Sequence, residues 1–154
     1  MAELETVGVM GCGLMGHGIT QVVAQAGYQV VVREVDQATL AEGIAKIDKQ
    51  LARAVEKGNA SQVDADAVRA RIVGTTDYAA LADCELVLEA ITEDLALKLE
   101  MWSEVDTIAK PEAFFATNTS SLSVIEQAAS TSRPDRFVGL HFFNPVPVLP
   151  LVEL

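Results

Sequence analysis

Two histidines, His17 and His141, are the side chains of this 154-residue sequence best matched to moving a proton near neutral pH. The stretch LHFFNPVPVLPLVEL contains His141 and Glu153 as its only ionisable side chains. Held fully extended, the twelve residues between them would separate the two groups by about 40 Å. Prolines at 145, 147 and 150 forbid a helix and suit a turn, so a reversal centred near Pro147 would set 141 and 153 opposite one another. An imidazole paired with a carboxylate is fixed in tautomer and stabilised once protonated, which is the arrangement a general base needs. Apolar neighbours would leave that carboxylate unpaired otherwise, so Glu153 is expected to be buried against the imidazole. The competing readings are a structural histidine beside an apolar strand and an incidental glutamate on a hairpin edge. His17 falls in the first turn of a predicted helix, where the positive helix end disfavours its protonated form, and reads as local filler.

A second constellation lies near the N-terminus. In VGVMGCGLMGHGI, Gly11, Gly13 and Gly16 stand in GxGxxG register between a predicted strand and a predicted helix. Gly11 allows a tight turn, Gly13 lets backbone approach a pyrophosphate, and Gly16 lets the helix pack closely on the strand. Leu14 and Met15 complete the loop, and the helix N-terminus offers unpaired N–H groups to phosphates. Glycine-rich turns with no ligand are common, so the loop alone is weak. Glu34, however, ends the second predicted strand 23 residues after Gly11, where an acid can accept hydrogen bonds from an adenosine ribose. An acid there repels a ribose 2′-phosphate and favours NAD over NADP. Arg33 is the complication, but alternation along a strand points it away from Glu34.

The elements that must position these groups alternate along the whole sequence. Thr6 to Met10 reads as a buried strand, and Met15, Ile19, Val22 and Ala26 recur at helical spacing until Gly27. Gln29 to Val32 is the next strand. Leu40, Ile44, Ile47, Leu51 and Val55 form the apolar stripe of a helix over about 38–57. A short helix over 63–70, strands near Ile72 and at Glu85 to Leu88, and a helix over 94–109 before Pro111 follow. Phe114 to Ala116 resumes extended structure. Ser123 and Glu126 have capping-box spacing for a helix through Ala129, and Phe137 to Phe143 reads as one last apolar run. The order predicts an α/β, doubly wound, mostly parallel sheet of Rossmann type, one dinucleotide-binding domain over 1–154.

Half of the residues are hydrophobic, enough to bury a core without metal or disulfide staples. Cys12 and Cys84 have neither CxxC spacing nor clustered histidines and read as isolated thiols, so no metal site is expected. The 22 acids against 11 bases give a net charge of -11, which argues against nucleic acid and against an anionic membrane surface. MAELET carries acids where a secretory signal carries lysines, and no apolar run suits a membrane span, so a cytoplasmic location is expected.

GCGLMGHGI, the strand-end Glu34, GTTDY, ELVLEAITED with Lys98 following, ATNTSSLSV, RFVGLHFFNPVPV and LVEL together resemble the NAD-binding domain of the 3-hydroxyacyl-CoA dehydrogenases over nearly the whole chain. HFFNP after NTSSL is far more specific than GxGxxG. The resemblance implies reversible oxidation of an (S)-3-hydroxyacyl-CoA to the 3-oxoacyl-CoA, with NAD accepting the hydride. It implies His141 as general base and Glu153 as the group that orients it. Ser120 would hydrogen-bond the reacting oxygen, with Asn144 supporting the same site. Glu93 and Lys98 match positions that contact the cofactor, and Asn118 lies near its nicotinamide end. Read from the residues alone, Ser120 and Asn118 are equally turn and cap residues. Cys12 and His17 stand where the family has small residues, and His17 is expected to crowd the phosphate loop unless it points away.

The resemblance also implies a helical C-terminal domain beyond LVEL that closes over the acyl chain and makes most of a dimer contact. The chain is therefore expected to be part of a longer enzyme, binding cofactor but turning over poorly alone; a natural single domain is the alternative. The resemblance places the coenzyme A of an acyl-CoA substrate near the end of the helix carrying Lys46, Lys49, Arg53 and Lys57, with Lys57 the contact, against the reading of a plain solvated face. Two rivals stand beside this function: a related dehydrogenase of a free hydroxy or sugar acid, and a non-catalytic, crystallin-like nucleotide-binding protein.

Overall fold

Strand β1 (Thr6–Met10) owes its burial to alternation: Val7 and Val9 enter one hydrophobic core and Met10 the other. The computed structural model of the protein describes residues 4–154. Helix α1 (Gly16–Gln25), β2 (Gln29–Arg33), α2 (Gln37–Glu56), α3 (Gln62–Ala70) and β3 (Ile72–Thr75) follow. The second half runs β4 (Leu86–Glu89), α4 (Leu95–Ile108), β5 (Phe114–Thr117), α5 (Val124–Ala129) and β6 (Phe137–Gly139), then β7 (His141–Phe142) and β8 (Val152–Glu153). The six larger strands form one parallel sheet in the order β3-β2-β1-β4-β5-β6, as expected of a doubly wound fold.

Helix ends agree with their capping residues. Asp36 accepts from Thr39 N at 2.7 Å and starts α2, and Asp94 starts α4 by accepting from Leu97 N at 3.2 Å. Ser123 accepts from the amide of Glu126, but a complete capping box occurs instead at Ser61 and Asp64, which the sequence reading passed over. Gly27 and Gly58 follow α1 and α2 with φ of 103° and 71°, the left-handed conformation that ends a helix. No helix among the described residues is long and apolar enough to cross a membrane.

The apolar run Phe137–Phe143 does not make one strand. Its first part, β6, closes the sheet edge against β5, and β7 leaves to pair antiparallel with β8. The separation occurs where Asn118 Oδ1, in place of a strand carbonyl, accepts from Phe142 N at 2.8 Å.

One face of the sheet packs Val7, Val9, Val30 and Val32 on Ile19, Leu40, Ile47 and Leu51. On the other face Trp102 stacks on Phe115 at 5.0 Å between centroids, meets Phe137 edge-on at 4.8 Å, and donates its indole N–H to Gln127 Oε1 at 3.0 Å. Beneath this face Arg133 Nε contacts Asp106 Oδ1 at 2.7 Å, and Ser132 N donates to the same carboxylate at 2.6 Å. Burial alone would raise the pKa of Asp106, but the bonds from Ser132 and the Arg133 charge outweigh it and hold it below the ordinary carboxylate value. A depressed carboxylate stabilises the fold fully above its unfolded pKa of about 4, and that contribution is lost as pH falls toward the folded value. Asp106→Asn should therefore destabilise the domain by about 2–4 kcal/mol at pH 7. The deficit should shrink in urea titrations below about pH 4; a pH-independent deficit would contradict the assignment.

Candidate active site

Strands β1 and β4 are neighbours in the sheet, yet the chain leaves them toward opposite edges, which opens a crevice beyond their carboxyl ends. Gly11 turns there with φ 93°, and a methyl on it would lie 2.7 Å from the Ala90 carbonyl oxygen after β4. A methyl on Gly16 would overlap the Gly11 carbonyl, whereas nothing lies within 4 Å of one built on Gly13, which leaves that backbone open to a ligand. Helix α1 begins after Met15, whose side chain makes no cap, so its first-turn N–H groups face the loop without a side-chain acceptor. Leu14 and Met15 line the same cavity, of about 690 Å³, which runs from Glu34 past Glu93 to His141.

Glu34 is buried beside the loop. Its Oε1 accepts from Cys12 N at 2.5 Å and its Oε2 from Val35 N at 3.0 Å, which leaves further lone pairs toward the cavity. Arg33 points elsewhere: its guanidinium lies 4.0 Å from the centre of the Tyr78 ring, and Nε donates to Thr76 O at 3.3 Å. Cys12 packs against Gly43 of α2, and burial, reinforced by the Glu34 charge, pushes its thiol up to about 12. His17 turns toward α2 and does not crowd the loop. Its Nδ1 donates to Gly13 O at 2.6 Å, leaving Nε2, at 3.1 Å, to accept from the Gln50 amide.

At the far end of the cavity the expected reversal is present. β7 and β8 pair with His141 opposite Glu153, and His141 Nδ1 lies 3.2 Å from Glu153 Oε2. The returning turn contains a cis Asn144–Pro145 bond and is seated by Val146, buried against Gly18 of α1. The expectation of a buried Glu153 fails: its side chain is 69% exposed, against 23% for His141. β8 has no covering layer among the described residues, and Leu151, Val152 and Leu154 around it are exposed as well. Ser120, Asn118 and Asn144 line the cavity near His141. Asn118 Oδ1 accepts from the β7 backbone, and no protein acceptor among the described residues takes its amide N–H groups. Lys57 caps the C-terminal end of α2, exposed and outside the cavity.

Between the two ends stands a charged network that sequence reasoning saw only in part. Lys98 Nζ contacts Glu89 Oε1 at 2.8 Å and Glu93 Oε2 at 2.7 Å. Glu93 also accepts from Thr119 Oγ1 and, at 3.3 Å, from Ser121 Oγ. Burial acts to raise the pKa of Glu93, but the Lys98 and Thr119 bonds and the Lys98 charge prevail and keep it below the usual range. Glu89 and Thr117 were missed; an acid closing the apolar run LVLE was the available signal.

With Glu34 facing the cavity and Arg33 held on Tyr78, a 2′-phosphate would meet a carboxylate in place of the Arg33 guanidinium. NAD should bind at least about tenfold more tightly than NADP, and Glu34→Ala should narrow that ratio by weakening NAD. Calorimetric titration of both cofactors checks this; equal affinities, or a preference for NADP, would overturn the role given to Glu34.

A family profile described as "3-hydroxyacyl-CoA dehydrogenase, NAD binding domain" matches residues 6–154. A 3-hydroxybutyryl-CoA dehydrogenase of Mycobacterium tuberculosis is 46% identical over 152 residues, 98% of this chain and 53% of that protein. The 3-hydroxyadipyl-CoA dehydrogenase of Escherichia coli is 37% identical over 154 residues, the whole of this chain and 32% of that protein. Among solved structures, the (S)-3-hydroxybutyryl-CoA dehydrogenase of Ralstonia eutropha superposes with a TM-score of 0.96 at 42% identity, covering 98% of this chain and 53% of that one. The chain thus spans about half the length of the 3-hydroxybutyryl-CoA dehydrogenases it matches. The glycine loop, the acid that follows β2 and the sheet order agree with the match, and the chain belongs to the NAD-binding domain family of the 3-hydroxyacyl-CoA dehydrogenases.

Proposed function

We propose that this chain is the cofactor-binding and proton-transferring part of an enzyme that oxidises (S)-3-hydroxyacyl-CoA to 3-oxoacyl-CoA. The observation that carries the reading is the His141–Glu153 pair at one end of a cavity whose other end is a glycine phosphate loop with its ribose-side acid. The residues fit NAD: an uncapped helix N-terminus for the pyrophosphate, Glu34 for the adenosine ribose, and Glu93 and Asn118 toward the nicotinamide end. When bound, NAD supplies the acceptor for the hydride that leaves C3 of the substrate. His141, its Nδ1 engaged by Glu153, removes the hydroxyl proton through Nε2, and Glu153 offsets the charge the imidazole then gains. Ser120 donates to the reacting oxygen, and Asn144 borders the same end of the cavity.

His141 and Glu153 are too open to hold an acyl group or exclude water on their own. Leu149, Leu151, Val152 and Leu154 are exposed in and beside β8, apolar area on which a helical C-terminal domain or a second copy would pack. The isolated chain should therefore oxidise NADH with acetoacetyl-CoA at least about a hundredfold more slowly than a full-length relative. His141→Gln should lower that rate by a further ~100-fold or more with the circular dichroism unchanged. An unaffected rate, or equal turnover of free 3-oxo acids, would contradict the reading.

Lys57 closes an exposed helical face that also carries Lys46, Lys49 and Arg53, and it is the proposed contact for the anionic part of coenzyme A. Lys57→Ala should weaken acyl-CoA binding about threefold or more and flatten its salt dependence. An unchanged Kd at low salt would remove Lys57 from the site.

A further inference from the structure

His17 does not line the cavity, yet its ring is bonded to the glycine loop that does. Its Nδ1 donates to Gly13 O at 2.6 Å, and its backbone N donates to the same oxygen at 3.3 Å. A carbonyl oxygen only accepts, so the ring must carry a proton on Nδ1, and in the neutral imidazole Nε2 is then an acceptor. Gln50 of α2 meets that acceptor with an amide N–H at 3.1 Å, although its own Oε1 is buried without a partner among the described residues. Gln50 therefore holds the tautomer that the Gly13 bond requires. A histidine that merely filled the seam between α1 and α2 would need neither bond.

The peptide between Gly13 and Leu14 is trans and planar, so its C=O and the Leu14 N–H point in opposite directions. Gly13 and Leu14 border the cavity and His17 does not, so an oxygen held toward His17 aims the Leu14 N–H at a ligand. No protein acceptor among the described residues takes that N–H. Packing does not fix this peptide, because nothing lies within 4 Å of a methyl built on Gly13 and glycine rotates at little steric cost. Rotated, it would turn its carbonyl toward the anion that the N–H should meet. We propose that His17 is a positioning residue for the diphosphate of the cofactor: its Nδ1–H pins the Gly13 carbonyl on the helix side, which keeps the Leu14 N–H aimed into the cavity. Gln50 keeps the imidazole in the tautomer that does so. The inference rests on the cofactor reading above and deepens it.

The test is ligand affinity of the chain itself, read by calorimetry for NAD and ADP and by chemical-shift titration for adenosine, which has no phosphate. His17→Leu removes the donor and keeps an apolar side chain in the seam. His17→Asn keeps a donor, since its Nδ2 stands the same number of bonds from the backbone as the imidazole Nδ1. His17→Leu should weaken NAD and ADP alike by about tenfold, the worth of one charge-assisted hydrogen bond, and leave adenosine within about twofold. His17→Asn should hold both nucleotides within about threefold of the parent. Gln50→Leu should weaken NAD about threefold in the parent and by less than about 1.5-fold in the His17→Asn background, where there is no tautomer to fix. Filling a seam depends on volume and not on a donor, so the asparagine rescue separates the two roles. Three results would overturn the proposal: NAD and ADP within about twofold of the parent in His17→Leu, His17→Asn as weak as His17→Leu, or adenosine weakened as much as ADP. If His17→Leu fails to fold, His17→Ala removes the donor without adding bulk and carries the same expectations. Absence of NAD and ADP binding by the parent chain would overturn the cofactor reading and this inference together; failure of the variants alone overturns only the inference.

Discussion

The antiparallel register of β7 and β8 sets the one distance on which the proposed chemistry depends, that between an imidazole nitrogen and a carboxylate oxygen. Two residues a side cannot hold a ladder in water by themselves. Two anchors do it here. Val146 seats the returning turn on Gly18 of α1, and Asn118 captures the amide of Phe142. Both anchors bear on elements that border the cavity, so the His141–Glu153 pair and the glycine loop share one framework.

Electrostatics follow from local placement within a strongly acidic chain. A net charge of -11 repels anions at long range, and the proposed phosphate site relies on backbone N–H groups and the end of α1. The acids in the cavity wall are each committed to a neighbour: Glu34 to the amides of Cys12 and Val35, Glu93 to Lys98 and Thr119. Glu34 in turn helps to keep the Cys12 thiol protonated, so the thiol beside the glycine loop is inert.

The sequence reading located what depends on periodicity and punctuation. Strands β1 to β5 and the helices between them fall within about two residues of where the pattern puts them, because β-branched runs alternate with helical stripes ended by glycine or capped by Asp and Ser. The reversal at Pro147 was legible for the same reason, since prolines exclude the alternatives. The features that escaped depend on partners distant in the chain. Phe137–Phe143 reads as one strand until Asn118 takes the amide of Phe142. Glu89 reads as the end of an apolar run until Lys98, a turn into the next helix, folds back beneath it. Exposure of Glu153 was equally invisible, because apolar neighbours in sequence do not ensure a covering layer in space. His17 and Arg33 do not line the cavity, as helix and strand geometry suggest, and their partners Gln50 and Tyr78 lie 33 and 45 positions away.

The central claim is that the nicotinamide ring of bound NAD lies against His141. Nuclear Overhauser contacts between the ring protons of bound NAD and assigned imidazole protons measure that proximity directly. The account predicts contacts from the nicotinamide H4 to His141, together with contacts from the adenine end to Val35 or Leu14. Adenine contacts at the glycine loop with the nicotinamide protons near any side chain other than His141 would contradict it.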